Sequence, residues 1–330
     1  MPHPQRTLMG PGPSNPYPEA TEAFTRPMLG HLDPVFIELL DETCARLRTV
    51  WGTANDLTLP LSGTGSAGME AAFVNLIGPG DTVVVAVNGL FGERMCDVAS
   101  RCRADVVRVD TAWGRPIDPD QVLAAHPNPK LIAAVHAETS TGVRNDIESL
   151  AAGLAERDDT LLLADCVTSL GGIEVAIDGW GVDVAYAGTQ KCLGVAPGLA
   201  PFTMNNRARD VRVDRPQSWY LDLGMIAGYA TAKGARKYHH TAPVAMIMSL
   251  HAGLGALLEE GLGAAQRRHA ECGGLLQAGL ADLGLELFAA EGHRLPELTS
   301  VLVPDGVDDA KVRQLLLERY DIEIGGGVGA

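Results

Sequence analysis

The chain has 330 residues, 46% of them apolar and 20% charged, enough to build a hydrophobic core without disulfides or metals. Its net charge of −15 repels phosphate backbones and anionic lipid, which argues against nucleic acid or a membrane surface as partner. No apolar run reaches the roughly 18 residues of a span, Met1 to Gly10 has no secretory core, and six scattered cysteines without a CxxC pair read as reduced thiols in a cytoplasmic protein without a structural metal.

The first stretch, Met9-Gly-Pro-Gly-Pro-Ser-Asn-Pro-Tyr-Pro18, is too rich in proline and glycine for helix or central strand and reads as an ordered arm. Helical periodicity follows over Val35–Trp51, with Phe36, Leu39, Leu40, Cys44 and Leu47 on one face. From Leu57 the pattern repeats as apolar run, glycine turn and amphipathic helix. Strands are predicted at Leu57–Leu61, Thr82–Val87, Asp105–Val109, Leu131–His136, Thr160–Ala164 and Val182–Tyr186. Helices are predicted at Gly68–Ile77, Glu93–Arg103, Pro119–Ala125 and Ile147–Glu156. Continuous apolar strands alternating with helices predict an α/β fold with a mostly parallel sheet between helices. Pro243–Leu283 reads as mostly helical, room for a long helix leaving the first domain. Leu298–Val303 (strand), Asp308–Tyr320 (helix) and Asp321–Ile324 (strand start) suggest a smaller C-terminal α+β domain. The expected division is an arm to residue 20, a large domain over 21–255 and a small one over 256–330. Because the last strand runs into Gly325-Gly-Gly-Val-Gly-Ala330 with nothing after it, the small domain is expected to be incomplete.

Three segments carry chemistry. Ser62-Gly-Thr-Gly-Ser-Ala-Gly68 follows a strand and opens a helix, a place where backbone N–H groups and the helix dipole can hold a phosphate; read alone, it is equally a tight turn. An apolar strand ends in Asp165, which at the C-terminal end of a parallel strand faces the ligand crevice or merely caps a turn. Another strand ends before Gly188-Thr-Gln-Lys191, and a lysine there is usually a solvated surface residue. Together, a lysine, a carboxylate and a phosphate cradle are the parts a pyridoxal-phosphate enzyme needs.

The chain resembles the class V, fold type I aminotransferases, close to the alanine–glyoxylate and serine–glyoxylate group. The resemblance rests on seven segments in the family's order: Gly10-Pro-Gly-Pro-Ser-Asn, Ser62-Gly-Thr-Gly-Ser, Val87-Asn-Gly-Leu-Phe-Gly-Glu-Arg94, His136-Ala-Glu-Thr-Ser-Thr-Gly142, Ala164-Asp-Cys-Val-Thr-Ser-Leu-Gly-Gly172, Gly188-Thr-Gln-Lys191 and Lys237-Tyr-His-His-Thr-Ala-Pro243. It implies a PLP-dependent transferase fold with a seven-stranded sheet, pyridoxal 5′-phosphate as cofactor, and ping-pong transfer of an amino group from a small amino acid (alanine or serine) to a 2-oxo acid (glyoxylate or pyruvate). Lys191 would form the Schiff base and shuttle the proton. Asp165 would pair with the pyridinium nitrogen. Thr64, Gly65, Ser66 and Gln190 would hold the phosphate, and Ser140 would lie by the phenolic oxygen or the substrate. Tyr238 and Thr241 would reach the phosphate in the neighbouring subunit, so a homodimer is part of the site.

Two departures stand out. Phe91 occupies the place of a stacking tryptophan. The family's carboxylate-binding arginine lies in a strand beyond residue 330, so a missing C-terminal piece is expected. The alternatives are another class V reaction (a desulfurase, with Cys272 as its late cysteine, or a lyase) and a non-catalytic protein that keeps the fold.

Overall fold

A computed structural model describes residues 4–327, and in it the alternating apolar runs assemble into one seven-stranded sheet. Its strands are β1 (Leu57–Ser62), β2 (Thr82–Val87), β3 (Asp105–Asp110), β4 (Leu131–Val135), β5 (Leu161–Asp165), β6 (Val184–Tyr186) and β7 (Leu199–Met204). They lie in the order β1-β7-β6-β5-β4-β2-β3. Strand β7 runs antiparallel to both its neighbours, and the other four pairings are parallel. Strands β4 and β5 are buried at every residue because helices cover both faces. Edge strand β3 turns Asp105, Arg108 and Asp110 outward, charges that blunt an open edge.

Strand β7 has no counterpart among the predicted strands. Pro201 sits in its middle, a residue that ordinarily argues against a central strand. Here Pro201 shares one rung with Pro60 of β1, and its carbonyl accepts from the Ala187 N–H at 2.8 Å.

Helix α1 (Pro34–Trp51) starts on Asp33, whose carboxylate accepts from the Val35 N–H at 2.8 Å. Helices α2 (Gly65–Leu76) and α3 (Leu90–Arg101) each begin three residues earlier than the periodicity predicts. The extra turn of α2 is built from small residues, and a Cβ on Gly68 would meet the Tyr186 Cβ at 2.8 Å. The helix therefore approaches the sheet closely, with its N-terminus over the ends of the strands.

The predicted helical stretch Pro243–Leu283 is two helices, α4 (Val244–Glu260) and α5 (Leu262–Asp282). Gly261 separates them with φ 87° and ψ 130°, a conformation that ends α4 and that residues with a Cβ avoid. Leu298–Val303 does not form the predicted strand. Among the described residues its pairing is one bridge, Leu287 with Val301, flanked by the Phe288 N–H to the Ser300 carbonyl at 2.9 Å and the Leu302 N–H to the Glu286 carbonyl at 2.8 Å, while Leu302 and Val303 are exposed. Helix α6 (Asp309–Tyr320) leads to the short strand Ile322–Glu323, which pairs in parallel with Thr7–Leu8 of the N-terminal arm.

Candidate active site

The C-terminal ends of the parallel strands converge on one crevice. At the end of β5, Asp165 is 2% exposed. Its carboxylate accepts from the Val167 N–H at 2.8 Å and from the Tyr186 hydroxyl at 2.7 Å. Burial pushes its pKa up to about 6, against the pull of those two bonds and of Lys191. Glu138, on the hairpin after β4, is fully buried nearby and is raised by burial as well.

Lys191 is half-buried, and desolvation lowers its pKa, opposed by Cys192 and Asp165. More of its amine is therefore neutral near pH 7 than for a surface lysine, as a nucleophile and proton carrier requires. Its Nζ donates to the Pro11 carbonyl of the N-terminal arm.

The turn ahead of α2 has the features of an anion cradle. Thr64 occupies the N-cap with its side chain unused there, leaving the first N–H groups of a twelve-residue helix uncapped by it. At Gly65 a Cβ would meet Val167 Cγ2 at 2.7 Å, so only glycine lets the turn lie against the loop after Asp165. Gln190 Oε1 is buried with no partner, an acceptor that a protonated ligand group or bound water would satisfy. The Ser66 hydroxyl accepts from Arg94 at 3.2 Å. Arg94 in turn lies 4.8 Å over the Phe91 ring. Across the crevice, the Ser140 hydroxyl accepts from the Leu90 N–H at 2.9 Å and donates to Glu138 Oε1 at 2.6 Å. This ties the hairpin to the start of α3 and commits the Ser140 proton to Glu138.

Eight of the expected residues (Thr64, Gly65, Ser66, Phe91, Ser140, Asp165, Gln190 and Lys191) thus lie on the α2 turn, the start of α3, the hairpin after β4, the end of β5 and the loop after β6. Tyr238 and Thr241 are exposed, 3.3 Å apart through their hydroxyls, with Tyr238 against the His31 ring rather than in this crevice. They connect to it indirectly: Tyr220 stacks on His240 and donates to Ser62 Oγ at 2.7 Å, at the end of β1. Sequence reasoning missed Tyr186, Val167, Glu138, Arg94 and Pro11. Only Tyr186 carried a readable signal, since a tyrosine in an apolar strand needs a partner for its hydroxyl.

The residues present fit pyridoxal phosphate: a buried carboxylate, a half-buried lysine amine on the next strand's loop, and a turn at a helix N-terminus where a Cβ on Gly65 would fill the space against Val167. The Aminotransferase class-V family profile matches residues 16–329. The chain belongs to the class V aminotransferases. It is 39% identical to an alanine–glyoxylate aminotransferase of Drosophila melanogaster, over 99% of this chain and 84% of that one. It is 34% identical to an (S)-ureidoglycine–glyoxylate transaminase of Bacillus subtilis, over 99% and 83%. The crystal structure of an alanine–glyoxylate aminotransferase from Nostoc superposes with a TM-score of 0.95 at 43% identity, covering 100% of this chain and 88% of that one. The fold is that of the fold type I aminotransferases, and the chain is an aminotransferase, a family whose cofactor is pyridoxal phosphate. Among the described residues no helix is long and apolar enough to cross a membrane.

Proposed function

We propose that the chain transfers an amino group from a small amino acid, alanine or serine, to a 2-oxo acid, glyoxylate or pyruvate, in two half-reactions on pyridoxal phosphate. The observation that supports the reading is that the buried Asp165 carboxylate, held by the Val167 N–H and Tyr186, precedes the loop that packs on the α2 turn at Gly65, while the half-buried Lys191 follows the neighbouring strand β6. Glyoxylate as acceptor is supported by the names of two relatives.

When bound, the cofactor supplies an aldehyde that condenses with amines and a ring that accepts electrons from the substrate's Cα–H bond. Asp165, ionised, would hold a proton on the ring nitrogen, and Tyr186 keeps that carboxylate oriented. Thr64, Gly65, Ser66 and Gln190 would bind the phosphate, with Arg94 adding positive charge through Ser66. Phe91 and Val167 would supply apolar contacts to the ring. Lys191 would hold the cofactor covalently at rest and, once displaced by the substrate amine, move the proton from Cα at its Nζ. Ser140 positions the start of α3.

A homodimer belongs to the same reading: Trp219, Tyr220 and Tyr238 are exposed aromatics, and Tyr238 and Thr241 would complete the partner's phosphate site. So do the division into an arm, a large domain to residue 255 and a small domain from 256, supported by the exit of α4 and α5, and a cytoplasmic location, supported by six free thiols. Cys272, the late cysteine a desulfurase would use, sits within α5, so no observation favours that reading. The test is single-turnover loss of the visible cofactor band on adding alanine, serine or other amino acids, with recovery on adding glyoxylate. Ammonia or sulfide release without an acceptor would refute the assignment.

A further inference from the structure

The N-terminal arm is pinned on both sides of the catalytic lysine. On one side, Thr7–Leu8 pairs with Ile322–Glu323, and the Met9 N–H donates to the Glu323 carbonyl at 2.8 Å. Pro11 is then wedged against Gly325, where a Cβ would meet its Cδ at 2.4 Å. On the other side, Ser14 donates from Oγ to the Lys191 carbonyl at 2.8 Å and from its N–H to the Gln190 carbonyl at 2.9 Å. Tyr17 donates to the Gly194 carbonyl at 2.8 Å. Between the two anchors the chain passes directly over Lys191. The Pro11 carbonyl accepts from Nζ, and a Cβ on Gly12 would lie 2.9 Å from Cδ, Cε and Nζ at once. Gly12 also has φ 122°, which residues with a Cβ avoid.

We propose that the Pro11 carbonyl is the acceptor for the Lys191 ammonium whenever that amine is not joined to the cofactor, and that Ser14 is the positioning residue that keeps it there by binding the lysine's own backbone. The inference rests on Lys191 being the catalytic amine. A carbonyl oxygen on Nζ favours its charged form, against the desolvation that favours the neutral one. The charged or titratable groups facing Nζ are Asp165 at the end of β5 and Cys192 on its own loop. Residues 10–13 of the arm are glycine and proline and add no side-chain charge. The arm therefore sets how much free amine is available to react with a carbonyl compound, and through its pairing with Ile322–Glu323 it links that amount to the position of the C-terminal strand.

The test uses cofactor-free protein pulsed with acetic anhydride from pH 6 to 11, with acetylation of Lys191 read by peptide mass spectrometry against Lys130, Lys233, Lys237 and Lys311. Ser14→Ala and Gly12→Ala are expected to lower the midpoint of the Lys191 profile by about one unit, about tenfold more free amine at neutral pH. Ser14→Thr, which keeps the hydroxyl, is expected to stay near the parent. A midpoint unchanged in Ser14→Ala overturns the proposal, as does a faster reaction at every pH with no shift, which would report access alone. Should Gly12→Ala fail to fold, Ser14→Ala and Ser14→Thr still decide. The readout needs no turnover: if the cofactor attached to another lysine, the catalytic reading would fail while these midpoints could still be measured.

Discussion

Tyr186 offers the sharpest test of how the buried carboxylate works. Replacing it with phenylalanine removes the 2.7 Å bond from its hydroxyl to Asp165 and leaves the strand packing otherwise intact. A hydrogen bond to a charged group contributes about 1.5–3 kcal/mol, which corresponds to about one to two pKa units. Asp165, already raised by burial, would then titrate about one to two units higher. If Asp165 pairs with the ring nitrogen as proposed, cofactor binding uses the ionised carboxylate, and affinity is full above the free protein's pKa and falls about tenfold per unit below it. The assay is the pH dependence of the pyridoxal phosphate Kd, by fluorescence quenching, in the parent and in Tyr186→Phe. The cofactor's own phosphate titrates in the same range in both proteins, so the difference between the two profiles isolates Asp165. The break is expected to move up by one to two units in the variant, with weaker binding at pH 7 and near-equal binding at pH 9. Superimposable breaks would refute the reasoning.

Glu297→Gln probes a different buried acid: both Glu297 carboxylate oxygens are buried without partners, and desolvation raises its pKa to about 8. The folded chain keeps a proton that the unfolded chain releases, so stability falls between about pH 4.5 and 8, by up to about 5 kcal/mol. Urea unfolding should show a flatter profile in Glu297→Gln, and parallel profiles would count against the burial. Gly65→Ala should cost about tenfold in cofactor affinity, because its methyl group would lie 2.7 Å from Val167 Cγ2, while helix propensity there improves by about 1 kcal/mol; unchanged affinity with unchanged melting would contradict the cradle. Lys191→Ala should still bind the cofactor yet lose amino transfer, and normal turnover would remove Lys191 from its role.

Where the sequence was legible, the reason is local. The buried strands read correctly because continuous apolar runs such as Leu161–Ala164 carry their own signal, and Asp165 and Lys191 were placed by the strand ends they follow. Strand β7 was hidden because Pro201 breaks the local pattern, and only the register with Pro60 accommodates it. The mostly helical reading of Pro243–Leu283 holds as α4 and α5, and what it did not place is the break at Gly261, set by that residue's backbone conformation. The strand read at Leu298–Val303 had the right apolar residues, but Leu302 and Val303 stay exposed and the pairing stops at the Leu287–Val301 bridge. The contacts made by Tyr186, Arg94 and Pro11 join residues distant along the chain, so spacing could not show them; Pro11 meets Lys191 across 180 positions.

The most direct test of the central claim is where the cofactor attaches. Protein loaded with pyridoxal phosphate, reduced with borohydride and digested, should carry the added mass on the peptide containing Lys191 and on no peptide containing Lys130, Lys233, Lys237 or Lys311. Attachment to another lysine, or no attachment under saturating cofactor, would contradict it.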